Sequence, residues 1–173
     1  MAADQQQLKP VLMEGVRIIF RNFKGEEGKY NREGVRNFGV IIPEDDDLPA
    51  RMLADGWNVK RLKPSEEEQD EGVEVGPAWL PVEAAWDKGR PPKIVMITSR
   101  GRTNITEDTA EQLDWVDIAI DEQTGLPKCD LMVRPFVWKN AMGASGVKAY
   151  LKSMFVTIEE DDLERKYAEL DEQ

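Results

Sequence analysis

Residues 134 to 158, RPFVWKNAMGASGVKAYLKSMFVTI, thread Arg134, Lys139, Lys148 and Lys152 between Phe136, Trp138, Tyr150 and Phe155. Cations and flat rings in alternation suit one task. Lysine and arginine track phosphates, and unpaired bases stack on aromatic rings at roughly 1–3 kcal/mol each. A duplex hides the faces of its bases and gains little from such rings. The first basic segment repeats the composition with Arg17, Arg21, Phe23, Arg36 and Phe38, and its connector adds Lys29, Tyr30 and Arg32. Arg100 and Arg102 follow a central apolar run and join the set if the fold brings them near.

For these residues to act together, strands must present them. VRIIFRNFK (16–24) alternates with period two, and VRNFGVIIP (35–43) gives a second strand closed by Pro43, so the two read as an antiparallel hairpin with a long cationic loop. If the last two strands pair with Phe136 opposite Tyr150, the pleat sorts them. Leu131, Val133, Val137, Val147, Ala149 and Leu151 then form a core face, and Arg134, Phe136, Trp138, Lys148, Tyr150 and Lys152 form the other. An odd register would mix the faces. The alternative for either hairpin is an ordinary solvated sheet, since aromatics favour strands and cationic stems often cover them.

Between the hairpins, DLPARMLADG (47–56) reads as a short helix with Pro49 in its first turn and Gly56 at its stop. WNVKRLKP reads as a strand, residues 65–72 as an exposed, mobile acidic loop, AWLPVEAAW as an edge or bulged strand, and Lys93–Thr98 as a strand core. Thr106 caps an expected helix running to about Trp115, and VDIAI is a brief strand. The expected fold is α+β and mainly antiparallel, with six to eight strands, one or two short helices and a small barrel as the simplest closure. One domain over 15–158 lies between an N-terminal tail, 1–14, and an acidic C-terminal tail, 159–173.

Charge and missing residue types exclude much else. The 173-residue chain carries 23 Lys and Arg against 34 Asp and Glu, a net charge of −11. The runs at 44–47, 66–71 and 159–173 hold −4, −5 and −6, so the remainder of the chain is +4. With no histidine and a single cysteine, Cys129, there is no internal disulfide, no cysteine-based metal site and no histidine base. The acidic runs could hold Mg²⁺, but clustered acids in flexible loops are generally only hydrated, and no phosphate-cradling glycine motif is present. No cofactor and no catalysis are expected. No membrane-length apolar segment or secretory signal occurs, so the expected location is the cytoplasm, with no membrane partner. A homo-oligomer is compatible with the sequence. Trp57, Trp79, Trp86, Trp115 and Trp138 serve either a core or an interface.

The segments FRNFKGEEGKYNREGVRNFGVIIP, DGWNVKRLKP, GRPPKIVMITSRGRT, LDWVDI and GVKAYLKSMFVTIEEDDLERKYA resemble a family of small single-stranded DNA-binding proteins of tailed bacteriophages, over about Val16 to Ala168. The resemblance implies an OB-like barrel that coats exposed strands in replication or recombination. The matching positions here are Arg21, Phe23, Tyr30, Arg32, Arg36, Phe38, Arg100, Arg102, Trp138, Lys148, Tyr150 and Lys152. EQTGLPKC and NAMGASG are longer than the family's connections, which puts contacts near Lys139 outside the resemblance. The acidic tail implies recruitment of replication or recombination proteins, although it ends in LDEQ rather than on an apolar tip. A phage structural or host-interaction protein that binds no nucleic acid is the alternative.

Overall fold

The computed structural model describes residues 8–29 and 31–160. Nine strands form one sheet: β1 Val11–Met13, β2 Ile18–Asn22, β3 Asn37–Ile41, β4 Lys60–Arg61, β5 Ala78–Glu83, β6 Lys93–Thr98, β7 Gly101–Ile105, β8 Cys129–Lys139 and β9 Ser145–Thr157. The main path runs β1-β8-β9-β5-β3-β2. Because only residues 14–17 separate β1 from β2, these two act as one kinked strand, and the path closes on itself. The kink falls at Gly15, whose φ is +62° and whose amide donates to Asp130 Oδ1 at 2.8 Å. A side chain there would be strained and would press on Leu126.

The closed path is a five-stranded barrel in which four neighbouring pairs are antiparallel and β5 runs parallel to β9. This is the OB-like arrangement. The thirteen-residue β9 is long enough to serve two partners on one side, pairing with β5 through Ala149 and Tyr150 and, further on, parallel to β6 from Ser153 to Thr157. The β6–β7 hairpin is thus an annex on the second half of β9 rather than a barrel stave. Inward-facing Ile18, Phe38, Val40, Leu80, Val82, Leu131, Val133, Val147, Ala149 and Leu151 fill the interior.

Several elements depart from the sequence pattern. Part of the expected N-terminal tail is β1, because the apolar Val11–Met13 pairs with Leu131–Val133. The 65–72 stretch contains a helix, α2 (Glu66–Asp70), following α1 (Leu48–Ala54); Ser65 and Glu68 form a reciprocal capping box that stabilises the acidic turn. WNVKRLKP supplies only the two residues of β4, since Trp57 turns into the core, 2% exposed. The helix expected from Thr106 is a 3-10 helix at Ala110–Asp114. Thr106 and Thr109 bond within their own turn instead of feeding an α-helix. VDIAI makes only single bridges, Ile118 to Ile158 and Ile120 to Pro127. The acidic tail beyond Glu160 lies outside the described residues.

Candidate nucleic-acid interface

The β8–β9 ribbon pairs Phe136 with Lys148 and Arg134 with Tyr150. This is two residues from the expected register, but the parity is unchanged, so Arg134, Phe136 and Trp138 still share a face with Lys148 and Tyr150. A bulge at Lys152–Ser153 ends this arrangement, leaving Lys152 exposed on the same side without a cross-strand partner and returning Met154 to the core. The expected core role of Val137 fails. It is 57% exposed although its cross-strand partner Val147 is buried, so at this level β8 overhangs the core while β9 stays on it. At the tip, Asn140 Oδ1 accepts from the amides of Met142 and Ala144, closing NAMGASG into an ordered turn.

Trp138 lies flat on Gly146, its cross-strand partner. A Cβ on Gly146 would stand 2.8 Å from Trp138 Cζ2, so only glycine admits the ring in this pose. The indole is 40% exposed, with one face on backbone and the other open. Tyr150 differs. Its ring carries the Arg134 guanidinium at 4.6 Å and the Lys148 ammonium at 4.9 Å, and Phe136 meets it edge-on at 6.0 Å. These neighbours leave Tyr150 8% exposed, which corrects its expected role as a stacking platform. It is instead the pedestal on which two cations rest, at about 0.5–1 kcal/mol each near a surface.

The connector between β2 and β3 is compact. Asn22 Oδ1 accepts from the amides of Gly25 and Glu26, Asn31 Nδ2 donates to the carbonyls of Glu26, Arg32 and Val35, and the Gly34 amide donates to the Gly25 carbonyl at 2.8 Å. Asp114 accepts from the amides of Phe23 and Lys24, pinning the connector to the 3-10 helix. Arg32 is thereby held exposed on a rim, and Arg36 donates through one nitrogen to the Phe23 carbonyl.

Between this connector and the overhanging ribbon lies an open groove of about 850 Å³ that crosses β5 and β9. Its lining brings together four of the expected residues, Arg32, Arg36, Trp138 and Lys148, and adds Trp86, Lys88 and the acids Glu83, Asp87 and Glu107. Glu83 Oε1 accepts from Lys148 Nζ at 2.7 Å. Burial alone would lower the Lys148 pKa, but the hydrogen bond and charge of Glu83 outweigh it, so the ammonium form is favoured over that of a free lysine.

Other expected residues stand elsewhere. Phe23 and Phe38 stack on each other at 5.0 Å in the core, 0% and 2% exposed, so neither offers a face to a ligand. Their strand positions face inward because the pleat places Phe38 with Val40, and Phe23 follows the end of β2 into the interior. Arg21 donates to the Leu113 and Val116 carbonyls and fastens the 3-10 helix. With Arg17 it lines a second, largely apolar groove of about 690 Å³. Arg100 and Arg102 belong to the β6–β7 annex, where Arg102 pairs with Ile97 and Ile97 with Thr157. Nine residues of β9, about 30 Å of strand, separate that level from Lys148. Tyr30 lies outside the described residues.

A further aromatic cluster carried no signal in the sequence. Phe20, at φ +50° and 62% exposed, meets Trp79 edge-on at 5.1 Å, and Trp79 rests over Gly39 with Lys60 Nζ 5.5 Å from its ring. Of the other tryptophans, Trp115 is 70% exposed. Among the described residues, no three of Asp, Glu and Cys are placed to hold a metal ion.

The fold and groove define an OB-like barrel with a cleft lined by cations, acids and the aromatic rings of Trp86 and Trp138. A family model described as "Putative phage ssDNA-binding domain" matches residues 2–173, and the chain belongs to that family. No curated protein matches. Among solved structures, the C-terminally truncated single-stranded DNA-binding protein of bacteriophage Enc34 is similar over 88% of this chain and 87% of its own, at 13% identity and a TM-score of 0.50. The Enc34 protein in complex with ssDNA matches over 91% and 98%, at 11% identity and 0.47. Gp2.5 of bacteriophage T7, a single-stranded DNA-binding protein, matches over 88% of each chain, at 13% identity and 0.40.

Proposed function

We propose that this phage ssDNA-binding domain holds its strand in the groove between the 31–37 connector and the β8–β9 ribbon, without sequence preference. The observation that carries the reading is the convergence of Arg32, Arg36 and Lys148 with the open face of Trp138 on one cleft. The three cations meet phosphates, and the indole stacks one base. Phe136, half exposed beside Tyr150, and Arg134 extend the contact along the ribbon, with Lys152 beyond them. None of these groups needs to make or break a bond, and no cofactor enters the proposal. The role is that of an accessory protein of phage replication or recombination in the host cytoplasm, with residues 159–173 recruiting partner proteins by their charge.

Titration of labelled single-stranded and duplex oligonucleotides across a NaCl series tests this. Three phosphate contacts give a slope of log K against log salt near −2, at about −0.7 per phosphate, with duplex far weaker. No binding at about 50 mM salt together with a stable higher assembly would favour a structural role instead, and equal affinity for duplex would remove base stacking from the reading.

A further inference from the structure

Of the seven charged residues lining the groove, four are cations (Arg32, Arg36, Lys88, Lys148) and three are acids (Glu83, Asp87, Glu107). A groove that only attracted phosphate would have no use for a carboxylate on its floor. Glu83 is on that floor. It projects from β5 between Asn37 of β3 and Tyr150 of β9, and its side chain is 14% exposed. Asp87 and Glu107 are exposed on the rim, where solvent screens them. Glu83 Oε1 accepts from Lys148 Nζ at 2.7 Å, and that nitrogen stands 4.9 Å from the centre of the Tyr150 ring. The Lys148 ammonium is therefore held between an anion and an aromatic face. A phosphate oxygen that approached it would meet a negative charge already seated.

Resting on the proposed function, we infer that Glu83 is a built-in competitor for phosphate, and that a strand binds by exchanging a phosphate oxygen for the Glu83 carboxylate on Lys148 Nζ. The exchange costs affinity and shortens the time a strand stays bound, because the carboxylate re-forms its bond whenever the phosphate leaves. A protein that coats a strand and must later yield it gains reversibility from this arrangement. The Arg134 guanidinium also lies on the Tyr150 ring, 4.6 Å from its centre, and its Nε is buried with no hydrogen-bond partner among the described residues. It keeps the ring in place while Lys148 changes partner.

The test is a two-by-two set: wild type, Glu83→Gln, Lys148→Ala and the double variant, each titrated with labelled oligo(dT) across a NaCl series. Glutamine keeps the size and a hydrogen-bonding oxygen but removes the charge. Glu83→Gln is expected to bind roughly tenfold more tightly at low salt, mainly through slower dissociation, and to steepen the salt slope by up to about 0.7, because no displaced carboxylate is left to take up a cation when the phosphate binds. In the Lys148→Ala background the same substitution is expected to change affinity by less than about twofold, since the amine it acts through is gone. Thermal melts of all four proteins separate a folding defect from a binding effect. Wild type that binds with no gain in Glu83→Gln, or a gain that persists without Lys148, overturns the competitor role alone. Failure of both wild type and Glu83→Gln to bind overturns the functional reading and the competitor role with it.

Discussion

Replacing Trp138 by Ala removes a ring whose geometry limits what it can contribute. One face of the indole rests on Gly146, where a Cβ would come within 2.8 Å of Cζ2, so a single face is left for a single base. One stacked base is worth roughly 1–3 kcal/mol, which is about 5- to 150-fold in affinity. Stability should change little, because Trp138 sits on the overhanging part of the ribbon, where Val137 and Phe136 are also at least half exposed. Gly146→Ala tests the same contact without touching the ring. The added methyl group must push the indole off its seat, and affinity should fall in the same direction by a smaller factor. Anisotropy of a labelled oligo(dT) at one fixed salt concentration measures both variants, with circular dichroism melts as the folding control. An affinity within about twofold of wild type in Trp138→Ala would refute the assignment of this ring as a stacking platform.

Three further outcomes follow from where side chains were found. Arg32→Ala should lower the salt slope of ssDNA binding by about 0.7, whereas Arg102→Ala, on the β6–β7 annex, should leave it unchanged; a matching loss in both would place the strand elsewhere. Phe23→Ala should cost about 3–5 kcal/mol of folding stability in a denaturant titration, because the ring is fully buried against Phe38, while the fraction that remains folded binds ssDNA with wild-type affinity. Cys129 should resist thiol reagents near pH 8 in the native protein and react on unfolding, since burial first, and then the neighbouring Asp130, push its thiol up to about 12. The native state holds the thiol proton more tightly than the unfolded chain, whose value is 9.0, so this stabilisation is complete below pH 9 and is lost between about pH 9 and pH 12.

The barrel was legible because its staves alternate. The β8–β9 ribbon follows a period of two, which gives both its strands and most of their apolar face. The first hairpin follows it only in part, since the register shift between Ile19 and Asn22 turns Phe20 out and Phe23 in. Outside the barrel, Lys93–Thr98 reads as a strand from its apolar run at 94–97. The parallel pairing of β5 and β9 left no such trace, because a long crossover connects them and only closure of the barrel brings them together. The first hairpin shows the limit for site residues. Phe23 and Phe38 have the same composition around them as Phe136 and Trp138, yet their strands lie within the barrel wall and the ribbon tip extends past it. Composition cannot tell a stave from an overhang. Glu83 was silent for a related reason. An acid between Val82 and Ala84 reads as any outward strand residue, and its meaning comes only from Lys148, 65 positions away in sequence.

Hydrogen–deuterium exchange of the full chain with and without oligo(dT) tests most directly where the strand lies. Added protection is predicted in two segments, 31–37 and 134–150, with none at 101–105 in the annex. Protection concentrated on the annex, or along 17–21 and 118–127 around the second groove, would contradict the placement of the strand between the connector and the ribbon.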